Sequence, residues 1–494
     1  MTAPRPHRAW ICSTGALAIL LAICIARLWI MPMRSSLWVD EIVTTFVIRF
    51  PRHPSFSVAP QVPESIYYLL PRLSWDILGQ SERALRLPTL LAMGAALFFI
   101  AKIAMRTIHP RAGWLAVFLC LTLHWFDYFA IDARMYGLGI AVSSASIYFL
   151  IRWFDGGRWV DAAAFALCGA LLWRIHLLFW PFYLIYPIYA AARLRKREMR
   201  ATFLQIALVA IFVTAALIPV VRTAQRILEG APSHSFNPPP DLLTFIYMVH
   251  INVVAICAVV ALMFRGYSRW PARIALPGGT WTLVFAWWLV CPLSIAAYSH
   301  LSGNGLLVSR YVSLMYPGIA LTAAAFLVWL LPETWIRPVS VAVGILALAL
   351  MGQWTRLRHP RHELSDWRTA AAVERIAAGP ATPVLCPSPF IEAKEPVWKP
   401  GYPIQSFLYS QLSYYPLRGN LRPFPFERSE LSDLYSTKLL ASELVPARRF
   451  LIYGSLGGAD YVARYLGSRP ELQGWSSQVR AFGDVMIVEF DAGN

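Results

Sequence analysis

GALAILLAICIARLWIMPMRSSLWVDE, residues 15–41, carries the first and most informative pattern in the chain. From Gly15 to Met31 its only charge is Arg27. A helix that crosses a bilayer needs about 20 mostly apolar residues, and the run near 10–32 supplies them. Arg5 and Arg8 form a basic flank before it. The run is long for a signal peptide, with no convincing small-x-small cleavage site before Met31-Pro32-Met33, so it reads as a retained helix. Two adjacent carboxylates, Asp40 and Glu41, follow where the chain leaves the bilayer.

The same pattern recurs along the chain. Further apolar runs lie near 84–105, 113–131, 135–152, 159–177, 179–192, 202–221, 243–264, 280–299, 310–331 and 337–355. The fifth and sixth runs form one long stretch, with His176 and Trp180-Pro181 marking the turn. Composition agrees: of 494 residues, 57% are hydrophobic and 14% charged, with 20 Trp, 21 Tyr and 27 Phe. Soluble domains carry about 25% charged residues. A disordered chain and an ordinary soluble globule are both excluded. Six of the seven Cys, namely Cys12, Cys24, Cys120, Cys168, Cys257 and Cys291, lie in apolar runs and read as packing residues. Cys386 stands outside them, and no Cys/His spacing suggests a metal site.

The net charge of +17 could signal nucleic acid or orientation. Its distribution decides. Alternate loops are basic: Lys102/Arg106/Arg111, Arg152/Arg158, Arg193 to Arg200, Arg265/Arg269/Arg273, and Arg337. By the positive-inside rule these loops, with Arg5 and Arg8, face the cytoplasm. The basic runs lack interleaved aromatics and any nucleic-acid-reading motif. The expected fold is a polytopic α-helical membrane protein of about 11 transmembrane helices with a C-terminal soluble α/β domain. Residues 1–355 form the membrane module, with the outer loop 33–83, and residues 356–494 the extracytoplasmic domain. In that domain Ala370–Ala378 and Tyr461–Leu466 read as helices. Pro383–Cys386, Phe450–Tyr453 and Val485–Phe490 read as strands.

Charges beside a membrane are costly and usually have a task. An acid at Asp40 or Glu41 can take a proton from a hydroxyl, coordinate a divalent cation, or simply begin a solvated loop. The loop beyond holds Tyr67, Tyr68 and Trp75, which suit interfacial helices and could shape a cleft at membrane level. Asp132-Ala133-Arg134-Met135-Tyr136-Gly137 is a tight outer turn. Arg134 suits bidentate phosphate binding, or a local pair with Asp132. Arg310-Tyr311 opens a late span on the same side. Arg27, Arg174 and Arg222 also lie near outer helix ends, where snorkelling is the ordinary reading. His176 fits three roles: ligand, base or packed ring. There is no phosphate-cradling Gly-rich loop, nucleophile elbow or HExxH.

Together these residues resemble the membrane glycosyltransferases of the GT-C class, most of all the protein-mannosyltransferase-like group, glycosyltransferase family 39, with the aminoarabinose and galacturonosyl lipid transferases. The likeness rests on Trp38-Val39-Asp40-Glu41; on Tyr67-Tyr68 followed by Gly79, Ser81-Glu82, Ala84-Leu85-Arg86 and Pro88; on Asp132-Ala133-Arg134-Met135-Tyr136; on Arg310-Tyr311; and on Asp366-Trp367-Arg368. One departure is plain: many members carry His or Asn and then Pro-Pro before the tyrosine pair, whereas this chain has Val62-Pro63-Glu64-Ser65-Ile66.

The resemblance implies an inverting transfer of a sugar from a polyprenyl-phosphate-linked donor to an acceptor hydroxyl at the outer face of the cytoplasmic membrane. It implies Asp40 as general base, and Glu41 as an aid in placing the acceptor or a cation. Arg134 and Arg310 would hold the donor phosphate. Tyr67, Tyr68, Tyr136, Tyr311 and His176 would line the substrate cleft. The acceptor is left open among lipid, glycan and protein; a divalent cation is compatible but not required; membrane lipids are partners and nucleic acid is not. Two other classes compete. A transporter or flippase predicts discontinuous helices and polar residues at the midplane. A noncatalytic envelope-assembly scaffold predicts no need for Asp40.

Overall fold

The structure, a computed structural model, describes residues 13–230, 238–268 and 274–493. Arg5, Arg8, Cys12, Arg269 and Arg273 of the sequence reading lie outside the described residues. The chain divides into two compact units. The first comprises Met1–Met33, Ser65–Tyr67 and Arg86–Pro360; the second comprises Arg34–Glu64, Tyr68–Leu85 and Arg361–Asn494.

Each of the expected apolar runs is helical among the described residues, but not all are straight. Among the described residues eight helices are long and apolar enough to cross a membrane: Thr14–Arg34, Glu82–Thr107, Met135–Gly156, Leu177–Arg195, Phe203–Gln225, Thr280–Ser302, Ser313–Leu330 and Glu333–Met351. Two further runs are bent pairs. Ala112–Cys120 and His124–Ile131 meet at 79°, and Leu242–Met248 and Ile251–Gly266 at 63°. The second bend passes through His250, which takes the left-handed conformation (φ 50°) and so ends the preceding helix. The Trp159–Ile175 helix has 17 residues, about 26 Å of rise, which is short of the roughly 30 Å hydrocarbon core.

Within the first unit, Ser313–Leu330 is buried over almost all its surface, whereas Phe203–Gln225 turns most of its apolar surface outward. The inner helix is built from small residues, Gly318, Ala320, Ala323, Ala324 and Ala325. A Cβ on Gly318 would stand 2.5 Å from the Trp288 nitrogen, so only glycine lets the Thr280–Ser302 helix approach this closely. Polar clamps close the helix ends. Asp155 pairs with Arg106 (2.5 Å) and Arg193 (2.6 Å). Arg152 pairs with Asp161 (3.0 Å).

Arg27 does not snorkel. Its guanidinium donates to the carbonyls of Gly352 (2.7 Å), Leu357 (2.7 Å) and Gln353 (3.0 Å), and lies over Trp354. These carbonyls lie at and just beyond the end of the Ile336–Met351 helix, around the short 3-10 turn Trp354–Arg356, where the regular helical ladder of N–H donors stops. Arg174 likewise donates to Ala216 O at 2.7 Å, within the turn that Pro219 opens. Arg222 is exposed.

The second unit is built on a five-stranded sheet of order β2-β1-β3-β5-β4. The strands are β1 Pro383–Pro387, β2 Asn420–Phe424, β3 Arg449–Ser455, β4 Ser476–Phe482 and β5 Val485–Asp491. β1 runs parallel to β2 and β3, and β5 antiparallel to β3 and β4. The three expected strands are β1, β3 and β5, the sheet's interior. Their apolar side chains, with Leu466 and Val462 of the Leu456–Gly467 helix, form the core, in which Phe450 stacks on Phe490 at 4.9 Å. The two strands not expected are the edges. β2 contains Pro423, and β4 reads Ser-Ser-Gln-Val-Arg-Ala-Phe and is exposed along nearly its whole length.

The loop assigned from sequence to the membrane module supplies Arg34–Glu64 and Tyr68–Leu85 to this second unit. Its helix Val39–Arg49 packs on residues 407–412, and Phe407 N–H donates to Ser55 Oγ at 2.8 Å.

Candidate functional site

Two groups of the expected residues are described, one in each unit. In the second unit, Trp38 is the extended residue that caps the start of the Val39–Arg49 helix. Asp40 and Glu41 therefore occupy its first turn, where a negative charge meets unsatisfied N–H groups. Glu41 is fully buried and accepts from Trp38 N–H at 3.3 Å. Asp40, one position earlier, is half-buried. A Glu41 carboxylate oxygen and a His362 ring nitrogen lie within 4.8 Å, two ligand atoms of kinds a divalent cation takes.

The approach to this helix is held by residues far away in sequence. Tyr415 Oη accepts from Leu37 N–H (2.9 Å) and Ser36 Oγ (3.3 Å), and donates to Glu82 (3.2 Å). Glu82 pairs with Arg368 at 2.7 Å, and Arg368 N–H donates to Ser36 Oγ at 3.2 Å. Burial, then the Glu82 carboxylate, pushes the Tyr415 phenol up to about 12, so it stays neutral. Asp366 caps the Trp367–Ala377 helix through Thr369 N–H at 3.1 Å and pairs with Arg361 at 3.2 Å. Glu82 and Arg368 carry the resemblance, but nothing local marks Tyr415 or His362.

In the first unit, four helix ends bring together Arg134, Tyr136, His176, Arg310 and Tyr311. Asp132 is buried at the end of His124–Ile131, and its carbonyl accepts Arg134 N–H at 2.7 Å. This tight link turns Arg134 into the extended residue that starts Met135–Gly156. Arg310 lies over the Tyr311 ring, 5.3 Å from its centroid. His176 ends Trp159–Ile175 in an extended conformation, outside both flanking helices. Its ring centroid is 5.7 Å from Tyr136, 5.7 Å from Tyr311 and 5.1 Å from Phe179. Gly139 makes this possible, because a Cβ there would collide with the Phe179 ring. Burial first, then the Arg134 and Arg310 guanidiniums, hold the imidazole well below its ordinary pKa.

Tyr67 is fully buried, and its hydroxyl shares a hydrogen bond with Thr89 Oγ1 at 3.1 Å. Tyr68, in the second unit, is also buried.

Residues 63–221 match the dolichyl-phosphate-mannose-protein mannosyltransferase family. No curated protein matches the sequence. By fold, the chain is similar to ArnT from Cupriavidus metallidurans in the apo state: TM-score 0.55, 13% identity, over 97% of this chain and 98% of that one. It is similar to ArnT bound to undecaprenyl phosphate, with TM-score 0.53, 12% identity and the same coverage of both chains, 97% and 98%. Arabinofuranosyltransferase AftD from mycobacteria gives TM-score 0.50 and 14% identity, over 98% of this chain and 42% of that one. The chain is a multi-pass membrane protein with the fold of the GT-C class of glycosyltransferases.

Proposed function

We propose that this protein is an inverting glycosyltransferase that moves a sugar from a polyprenyl-phosphate donor to an acceptor hydroxyl at the outer face of the cytoplasmic membrane. The observation that carries the reading is one cluster at the helix ends of a GT-C membrane fold, in which the His176 ring packs on Tyr136 and Tyr311, Arg310 lies over Tyr311, and Arg134 starts the helix that bears Tyr136. The solved ArnT bound to undecaprenyl phosphate supports a lipid phosphate as the ligand of that fold.

The chemistry follows from charge. The acceptor oxygen attacks the anomeric carbon and forms the new C–O bond. The bond from that carbon to the phosphate oxygen breaks, and its electron pair stays on the phosphate. The hydroxyl proton passes to the Asp40 carboxylate, the half-buried acid of the pair. The departing phosphate is already an anion, so it needs charge stabilisation rather than protonation. Arg134 and Arg310 supply it, in a site where hydrogen-bond donors are set in advance. Glu41, buried and spent in part on its helix start, positions the acceptor side. Should a divalent cation bind, Glu41 and His362 are the residues of this unit to hold it, and it would fix their orientation. No step runs through that ion.

The basic loops of the sequence favour the outer-face orientation. The acceptor is a lipid, glycan or protein hydroxyl. A transporter is the second reading, favoured by the two bent helix pairs. Mass spectrometry of lipids and envelope glycans separates the two. Cells with the wild-type chain should carry a product one sugar heavier than cells with D40N. An unchanged glycan profile together with substrate translocation would replace the enzyme reading with the transporter.

A further inference from the structure

The backbone N–H of Leu178 donates to Nδ1 of His176 at 3.1 Å. A ring nitrogen that accepts a hydrogen bond bears no proton, so the imidazole is the neutral tautomer with its proton on Nε2. Among the described residues Nε2 makes no hydrogen bond. The ring is half-buried rather than sealed, and Tyr136, Tyr311 and Phe179 set its place. The charged groups that act on it are Arg134 and Arg310, and the titratable rings beside it are the phenols of Tyr136 and Tyr311. A donor N–H with no acceptor among the described residues, on a ring that packs against the tyrosine Arg310 overlies and the tyrosine of the helix Arg134 starts, matches a ligand rich in anionic oxygens.

We propose that His176 Nε2–H is a fixed, neutral hydrogen-bond donor to the lipid phosphate, and that the site is matched to the dianionic leaving group rather than to the monoanionic donor. This rests on the polyprenyl-phosphate reading above. The sugar donor is a phosphodiester with one negative charge. When its sugar–oxygen bond breaks, the electron pair remains on phosphate and the product is a monoester with a second charge. The acceptor's proton goes to Asp40, and none enters or leaves His176. Two guanidiniums and a neutral donor therefore gain strength as the bond breaks, which is the differential binding that lowers a barrier. The low imidazole pKa agrees, since a third positive charge beside two arginines is costly. His176 is thereby assigned as a donor, not as the general base and not as a mere packed ring.

The test uses full-length protein in nanodiscs of phosphatidylglycerol and phosphatidylcholine. Binding of undecaprenyl phosphate and of uncharged undecaprenol is measured for wild type, H176F, H176Q, R134A and R310A between pH 7 and 8.5. H176F keeps an aromatic ring and loses the donor. It should bind the phosphate about tenfold more weakly and the alcohol as the wild type does. H176Q keeps an amide N–H and should fall between the two. The ratio of wild type to H176F should stay flat with pH. Equal phosphate binding by H176F overturns the proposal, and so does a ratio that shrinks as pH rises, which would report an imidazolium. If H176F does not insert, H176M makes the same comparison without a ring. Failure of R134A and R310A to weaken phosphate binding would overturn the lipid-phosphate reading itself. Weakening by the arginine variants alone would overturn only the role of His176.

Discussion

The hydroxyl of Tyr415 accepts the backbone N–H of Leu37 at 2.9 Å, across 378 residues of sequence. The same oxygen accepts Ser36 Oγ and donates to Glu82, which Arg368 neutralises. One phenol thus fixes the strand-like entry to the helix that bears Asp40 and Glu41. Y415F leaves the Leu37 N–H buried without an acceptor, at a cost of about 1–3 kcal/mol. Thermal unfolding should show the loss, and transfer should slow by about tenfold with protein still in the membrane. Its pH sign is also set. The native phenol keeps its proton to about 12, against about 10 unfolded, so the folded state binds more protons in that window. Stability is full below pH 10 and falls between 10 and 12, and Y415F should lack that alkaline limb.

Asp40→Asn keeps the size and position of the side chain and removes the base. Transfer should drop by about 10²–10⁴-fold, the usual weight of general-base catalysis, while expression and insertion match wild type. A radiolabelled-sugar transfer assay in membrane vesicles reads this directly. Wild-type rates in D40N would remove Asp40 from the mechanism.

Arg134→Ala and Arg310→Ala each delete one charged partner of the phosphate. Each should raise the KM for the lipid-linked donor by about 10- to 100-fold, the range for a charge-assisted hydrogen bond. The KM for the acceptor should stay put. Steady-state kinetics with each substrate varied in turn separates the two.

Arg27→Ala strips its donor from the Gly352, Gln353 and Leu357 carbonyls. We expect a cost of about 1.5–3 kcal/mol and faster protease cleavage in residues 352–358. R27K should restore little, because an ammonium lacks the planar fork that reaches several carbonyls. Cleavage at the wild-type rate in R27A would show that the clamp does not hold this segment.

Gly139→Ala forces the Phe179 ring to move, with an overpacking cost of about 1–3 kcal/mol. Since Phe179 packs on His176, the variant should weaken lipid-phosphate binding as well as stability. Weakening that is absent while stability falls would detach Phe179 from the site.

Much of the membrane part was legible because a bilayer demands long apolar runs, and such runs are visible one residue at a time. Less legible were the breaks. Nothing in the local hydropathy of 113–131 or 243–264 announces a bend of 79° or 63°. In the sheet, apolar β1, β3 and β5 could be read, whereas the edges β2 and β4 could not, since edge strands keep polar side chains and even a proline. The basic loops were read as orientation alone, yet Arg106 and Arg193 meet on Asp155.

By itself the sequence determined which segments are apolar enough to leave water, and which few charged residues stand at their ends. Asp40, Arg134 and Arg310 were candidates on those grounds, because charge beside a membrane is expensive to keep. Only the tertiary structure decided the partners. It turned Arg27 onto four backbone carbonyls, set Tyr415 against Leu37, and packed His176 on Tyr136 and on Tyr311, the ring that Arg310 overlies. The reason is physical. Hydropathy is a property of each residue and sums along the chain, whereas a hydrogen bond or a shifted pKa belongs to two groups and exists only where folding brings them within a few ångströms.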